Sequence, residues 1–226
     1  MQTFSALLRE KKVIANNVIE MNFEKPDDFV FQAGQFVQFL IQDGSKQTPR
    51  SYSLSSTPND ETLEFCVKLL ENGLASTHIS TMNIGDTLTM RGALGRFVYQ
   101  SGPACFIATG VGLAPIMGMI RHELEVAGNR MPLHLLFGVR TRQDIFWHER
   151  LEYLSKKFFN FTYTLTLSQT DNAWGGSHGR VTEHLEKCID ENYQYYLCGS
   201  KEMVMDVRSR LTESLIEHTN IHIEIF

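Results

Sequence analysis

Cysteine is scarce in this chain of 226 residues: there are four. Cys66, Cys105, Cys188 and Cys198 stand far apart, with no C-x-x-C pair and no histidine-rich cluster beside them. That spacing supplies no framework for a zinc site or an iron–sulfur cluster. Excess positive charge is absent too. A net charge of -5 leaves no electrostatic footprint for nucleic acid or an anionic membrane. No run approaches the roughly 20 apolar residues of a membrane-spanning helix. The opening MQTFSALLREKKV places charges where a secretory leader needs its apolar stretch. The expectation is a cytoplasmic protein with no membrane span, no nucleic-acid partner and no metal.

What is present is the composition of an ordinary globular chain, 42% hydrophobic and 21% charged, long enough for one large or two small domains. From Ala6 to about Gln100 the pattern predicts short strands: Val13–Phe23, Phe36–Ile41, Arg50–Ser55, Leu63–Leu69 and Thr87–Met90. Between them lie turn signals such as Lys25-Pro26-Asp27-Asp28 and Asp43-Gly44-Ser45. Regularly spaced short strands predict a closed antiparallel barrel, with one helix over Ala75–Met82. After Ser101-Gly102-Pro103 strands alternate with helices. Strands are predicted at Ala104–Thr109, Leu133–Gly138, Phe161–Leu167, Tyr193–Cys198 and Ile221–Phe226. Helices are predicted at Ala114–Ala127, from about Asp144 to Lys156, from Gly179 to about Cys188, and at Lys201–Glu217. Repeated strand–helix units imply a parallel sheet whose ligands sit at the carboxyl ends of the strands. The expected division is a barrel over 1–100 and an α/β domain over 101–226.

Three stretches carry candidate chemistry. In Thr48–Ser56, TPRSYSLSS, extended parity puts Arg50, Tyr52, Leu54 and Ser56 on one side and Ser51, Ser53 and Ser55 on the other. Arginine forks onto phosphate oxygens and tyrosine covers a flat ring, a pairing that suits a flavin nucleotide. An ordinary strand with a solvated Arg50 and a core-packed Tyr52 explains the same residues. Gly73 to Ser76 precedes the predicted helix, whose N-terminus can hold a phosphate, or where Ser76 is a plain N-cap. In Thr109–Pro115, TGVGLAP, a strand runs through two glycines into a helix, which brings backbone close to a pyrophosphate, and Pro115 suits the first helical turn.

Taken together, Arg50-Ser51-Tyr52-Ser53, Gly73-Leu74-Ala75-Ser76, Gly85-Asp86 with Gly92 to Phe97, Thr109–Pro115 and Cys198-Gly199-Ser200 follow one another as the motifs of a known family do. The chain resembles the ferredoxin–NADP reductase superfamily, and within it the reductase components of bacterial aromatic-ring oxygenases, by VKLLENGLAS and the terminal HIEIF. The resemblance implies a Greek-key FAD-binding barrel followed by a parallel-sheet NAD(P)-binding domain. It implies that Arg50, Ser51, Tyr52, Ser53, Val67, Lys68, Gly73, Leu74, Ala75 and Ser76 hold FAD. Thr109, Gly110, Gly112, Ala114, Pro115, Gly138, Arg140, Cys198 and Gly199 would then hold the nicotinamide nucleotide. Cys198 would lie beside the reactive nicotinamide carbon, Ser53 would hydrogen-bond near the flavin N5, and Phe226 would shield the flavin or pack in the core. Glu202 lies near enough to Cys198 in sequence to join the site, or to face solvent.

The family's NADP-selective members place an arginine after the third strand's serine. Here Gln169 follows Ser168, which favours NADH over NADPH unless Arg140 and Arg142 take that place. The expected reaction is hydride transfer from NADH to FAD and one-electron delivery to a separate protein acceptor such as a ferredoxin or an oxygenase component. The cysteine spacing of a fused plant-type iron–sulfur domain is missing here. A flavin reductase that releases reduced flavin, and a nonenzymatic electron-transfer or regulatory subunit, are the alternatives.

Overall fold

The computed structural model describes residues 1–170 and 173–226, and these form two six-stranded sheets. The first contains β1 (Gln2–Ala15), β2 (Val18–Glu24), β3 (Phe36–Asp43), β4 (Lys46–Ser53), β5 (Thr62–Lys68) and β6 (Thr87–Leu94), with α1 (Leu74–Thr81) between the last two. The strand order is β4-β3-β6-β1-β2-β5, and every neighbouring pair is antiparallel. A bridge from Leu54 to Phe65 joins the end of β4 to β5, so the two sheet edges meet and the barrel closes there.

Alternation fills it. Ile19, Met21 and Phe23 of β2 and Leu63, Phe65 and Val67 of β5 point inward, where they are buried together with Phe39 of β3. Phe23, Phe39 and Phe65 meet edge-on, with centroids 4.9 to 5.9 Å apart. Each such side chain stabilises the fold by about 1.5–3 kcal/mol through its burial. The predicted single strand Val13–Phe23 is two strands. Ala15 faces Val18 across a tight turn in which Asn17 takes a left-handed backbone (φ 55°) that asparagine tolerates. The apolar residues on both sides hid this turn.

The second sheet contains β7 (Ala104–Thr109), β8 (Leu133–Val139), β9 (Phe161–Leu167), β10 (Ser177–His178), β11 (Gln194–Gly199) and β12 (Ile221–Ile225), in the order β10-β9-β8-β7-β11-β12. All its pairings are parallel. Helices α2 (Leu113–Arg121), α3 (His148–Lys157) and α4 (Lys201–Glu213) connect the strands, and a wider turn prolongs α2 to Val126. The central β7 is buried from Ala104 to Ala108, reading Ala-Cys-Phe-Ile-Ala, as a strand covered on both faces must be.

Three predicted helices differ. Gly179–Cys188 forms short 3-10 turns at Val181–Glu183 and Leu185–Cys188, because the Glu183 carboxylate accepts from the Arg180 N–H (2.7 Å) and closes the first turn locally. Before α3, Asp144 caps Thr141 in the same way, and the helix starts only after Trp147. Helix α4 stops at Glu213, where Leu215 turns left-handed (φ 65°) and Ile216 folds back onto Leu211. Among the described residues no helix is long and apolar enough to cross a membrane.

The two halves meet along α2 and α3. Val18, Ala33 and Cys66 of the first half join the apolar cluster that contains Met117, Met119 and Leu151. Gly118 lets α2 lie against the barrel: a Cβ there would stand 3.0 Å from the Leu54 carbonyl and 3.1 Å from that of Ser56.

Candidate active site at the seam of barrel and sheet

Parity along β4 sorts its side chains as the sequence requires. Leu54 is buried, Tyr52 is half-buried against the ring of Phe39 (4.4 Å), and Arg50 is exposed with its guanidinium donating to the Pro49 carbonyl (2.9 Å). Burial pushes the Tyr52 hydroxyl above its ordinary range, only partly offset by the charge of Arg50. Tyr52 stays neutral. On the other side Ser51 is exposed, whereas Ser53 is 5% exposed and donates its hydroxyl hydrogen to Glu224 Oε1 at 2.9 Å.

Glu224 belongs to β12, where it stands opposite Cys198 of β11. Burial raises the Glu224 carboxyl above its ordinary range, and the Ser53 bond pulls it part of the way back. For Cys198, burial first and the Glu224 charge second push the thiol far up. It is a neutral, fully buried group at the strand end, a shape-setting residue rather than a nucleophile. Gly95 makes room for this cluster: in its left-handed backbone (φ 97°), a Cβ would press on the Phe36 ring at 3.0 Å and approach Glu224 at 3.9 Å.

Around the corner, α1 begins with Gly73 as its N-cap. Ser76 is not the cap; its Oγ accepts from the Leu70 N–H (2.8 Å) and ties down the preceding turn. The first N–H bonded back into the helix is that of Thr77, to Gly73 (2.8 Å), so Leu74, Ala75 and Ser76 present the helix N-terminus. Val67 points into the barrel, and Lys68 donates to the Asn16 carbonyl (2.9 Å).

Across the seam, β7 ends at Thr109 and the chain passes through a single 3-10 turn, Gly110–Gly112, into α2, with Ala114 and Pro115 buried in its first turn. A Cβ on Gly112 would overlap the Cys198 carbonyl, and one on Gly199 would overlap Thr109 Oγ1. The two strand ends therefore interlock through glycines, and Thr109 Oγ1 accepts from the Ser200 N–H (3.4 Å). Gly138 has a different task, since a Cβ there would strike Val181. Arg140 lies exposed just beyond β8, with its carbonyl bonded by the Gln169 N–H (2.8 Å). Arg142 is exposed in the following turn, and Glu202 is exposed on α4. Phe226 is not a core residue. Its N–H donates to Gly199 (3.3 Å) and its ring is 53% exposed at the carboxyl edge of the sheet.

Ser53, Cys198 and Glu224 thus stand where the barrel meets the sheet, with the N-terminus of α1 on the one half and the glycine turn after β7 on the other able to offer backbone N–H groups to an anion. Residues 5–99 match the oxidoreductase FAD-binding domain, and residues 106–209 match the oxidoreductase NAD-binding domain. A ferredoxin–NADP reductase B of Sorangium cellulosum is 30% identical, over 99% of this chain and 97% of its own.

The chain belongs to the ferredoxin–NADP reductase family.

Like other members of the family, it pairs an FAD-binding half with an NAD-binding half and is built as an oxidoreductase. The anthranilate 1,2-dioxygenase electron transfer component of Acinetobacter baylyi is 33% identical over 87% of this chain, which spans 58% of that protein's length. Among solved structures, an Amycolatopsis cytochrome P450 reductase superposes with a TM-score of 0.91 at 25% identity, covering 100% of this chain and 70% of the other. A Neisseria gonorrhoeae ferredoxin NADP+ reductase with bound FAD and NADP superposes at 0.87 and 22% identity, covering 100% and 99%, which bears on the fold alone.

The terminal HIEIF motif includes Glu224, as the family's ending does, but motif reading gave that residue no role. Its signal was positional: it lies in the last strand of a parallel sheet, at the carboxyl edge where ligands gather.

Proposed function

We propose that this reductase takes two electrons from NADH and delivers them one at a time to a separate protein acceptor, an oxygenase component or a ferredoxin. FAD, when bound, supplies the conversion from paired to single electrons. The observation that carries the reading is the 2.9 Å bond from Ser53 to Glu224, which joins the RSYS strand to the last strand of the parallel sheet beside Cys198.

The residues divide the work. Arg50 and the N–H groups of Leu74, Ala75 and Ser76 meet the flavin diphosphate, and Tyr52 lies against the ring. Ser53 turns its hydroxyl oxygen to the flavin edge, and Glu224, which takes the hydroxyl hydrogen, holds that group in place. Gly110, Gly112 and the start of α2 receive the nicotinamide pyrophosphate, and Cys198 with Gly199 fixes the nicotinamide side. Phe226 covers the outer face of the ring and excludes water. The division of labour falls near Gln100. NADH is favoured because Gln169 stands where a cation would hold a 2'-phosphate. That the relatives are named electron transfer components of oxygenases supports a protein acceptor.

Purified, flavin-loaded protein mixed with NADH without oxygen is expected to lose its yellow colour within the mixing experiment, and NADPH is expected to act more slowly. A bound flavin that keeps its colour would instead mark a nonenzymatic subunit. A colourless chain that reduces added flavin would mark a flavin reductase.

A further inference from the structure

A second set of buried polar groups joins the two halves between β2, β5 and α3, and the electron path just described makes no use of it. Alternation sends Ile19 and Met21 of β2 and Leu63 and Phe65 of β5 into the barrel, which leaves Glu20 and Glu64 facing α3. Both carboxylates are almost wholly buried, at 4% and 7% exposure. Charges so placed are tolerated only when paired. Their partner is Arg150, from the other half of the molecule. Its Nη2 lies 2.8 Å from Glu20 Oε2, and its Nη1 lies 2.9 Å from Glu64 Oε2 and 3.0 Å from Glu64 Oε1.

The surroundings lock the arginine in place. Trp147, one turn earlier, donates its Nε1 hydrogen to the same Glu20 oxygen at 2.6 Å, and the Arg150 guanidinium carbon lies 5.0 Å from the indole. Trp147 itself holds a left-handed backbone (φ 55°), which a bulky residue keeps only where its neighbours dictate it. On the barrel side, Ser55 Oγ donates to Glu64 Oε1 (2.9 Å), and the Glu64 N–H donates to Ser56 Oγ (3.1 Å). Ser55 and Ser56 lie two and three residues beyond Ser53, with only the buried Leu54 before them. The fork of Arg150 thus reaches, through Glu64 and Ser55, the segment that runs on from the strand carrying Ser53.

We propose that Arg150 is a positioning residue for NADH-to-flavin electron transfer: by gripping Glu20 and Glu64 with one planar fork, it sets the angle at which the parallel sheet meets the barrel. The inference rests on the function proposed above. The physical reason is a lever. Ser53 and Glu224 join the halves at the site, and Arg150 with its two glutamates joins them at a second, separate contact. Slipping at the second contact tilts Gly112 and Cys198 relative to Ser53. Neither arm of the fork can let go without stranding a buried carboxylate, so the tilt is resisted in both directions. Lysine, a single point donor, cannot span the two carboxylates in the same way. A displacement of about 1 Å between reacting groups costs on the order of a hundredfold in rate.

The test uses full-length, flavin-loaded protein and anaerobic stopped-flow reduction by saturating NADH, with wild type, R150M, R150K and E64Q side by side. Flavin content, the flavin spectrum and the melting temperature are measured on each. The expected result for R150M is a reduction rate about tenfold to a hundredfold lower, with flavin content unchanged and NADH affinity within about threefold of wild type. R150K should fall between the two. Should R150M fail to fold with flavin, E64Q keeps the side-chain shape, removes one arm of the grip and should slow reduction in the same sense. A reduction rate within about twofold of wild type in the flavin-loaded variants, with only the melting temperature lowered, would overturn the positioning role and leave a structural clamp. Rate and flavin content falling together overturns it too. Wild-type protein that NADH does not bleach at all defeats the proposed function, and the positioning role with it, which separates that failure from a failure of the clamp alone.

Discussion

The barrel and the parallel sheet use their residues in opposite ways, and the contrast explains why each half of the site looks as it does. In the barrel, alternation spends one side of each strand on the core and frees the other. On β4, Ser53 is the side chain turned to the seam, while Arg50 and Tyr52 stand opposite the core residues Phe39 and Val37, Arg50 exposed and Tyr52 half-buried. In the parallel sheet both faces are covered, and β7 spends every residue from Ala104 to Ala108 on packing. What the sheet can offer a ligand lies at strand ends, chiefly as backbone and glycine at Gly110, Gly112, Gly199 and the start of α2, with Cys198 and Glu224 as its side chains there. The barrel half should suffer when a side chain is removed, and the sheet half when one is added.

The sharpest trial of that contrast adds atoms to the sheet half. Gly112→Val forces a side chain into the Cys198 carbonyl, and reduction by NADH should fall by about a hundredfold or more while flavin content holds. Loss of flavin in this variant would break the contrast. The converse is Arg50→Ala, which deletes a charged donor from the barrel half. Flavin affinity, measured by titration of the apoprotein, should weaken about tenfold to a hundredfold, the worth of one hydrogen bond to a charged group. Binding of NADH to the sheet half should survive.

A smaller effect is expected at the junction. Ser53→Ala removes one hydrogen bond, and the reduction rate should drop about tenfold. It also removes the group that holds the Glu224 carboxyl down, so any acid limb due to Glu224 in the rate profile should move to higher pH. Glu224→Gln should flatten that limb. The sign for stability follows from the same raised carboxyl. Its contribution is fully present below the ordinary value of 4.5 and is lost as pH rises through the folded value.

The smallest effect concerns the pair between Arg121 and Asp60, which ties α2 to the barrel at 2.9 and 3.3 Å but is partly exposed. Burial pushes the Asp60 carboxyl up, yet the Thr57 N–H and Arg121 outweigh it and the net shift is downward. Its stabilisation is present above the ordinary 3.8 and is lost as pH falls through the folded value. Asp60→Asn should cost about 0.2–1 kcal/mol near neutrality in a denaturant melt, and the difference from wild type should shrink in acid.

Much of this is legible in the sequence. Short alternating strands announced the barrel, the strand–helix repeats announced the parallel sheet, and parity along TPRSYSLSS separated Arg50 and Tyr52 from Ser53. Local signals misled where one residue overrode its neighbours. Asn17 turned one long apolar run into a hairpin, and Glu183 bent a helical pattern into 3-10 turns. Ser76 looked like a cap and is a brace for Leu70.

From its sequence alone the chain fixes the two periodicities and the glycines that end strands in tight turns, because these express preferences between residues that are close along the backbone. Only the tertiary structure brings Glu224 to Ser53, 171 residues away, and sets Arg150 between Glu20 and Glu64. Such contacts form when two separately patterned surfaces are pressed together. Water leaves the seam, and each buried carboxylate must then find its partner from the opposite half.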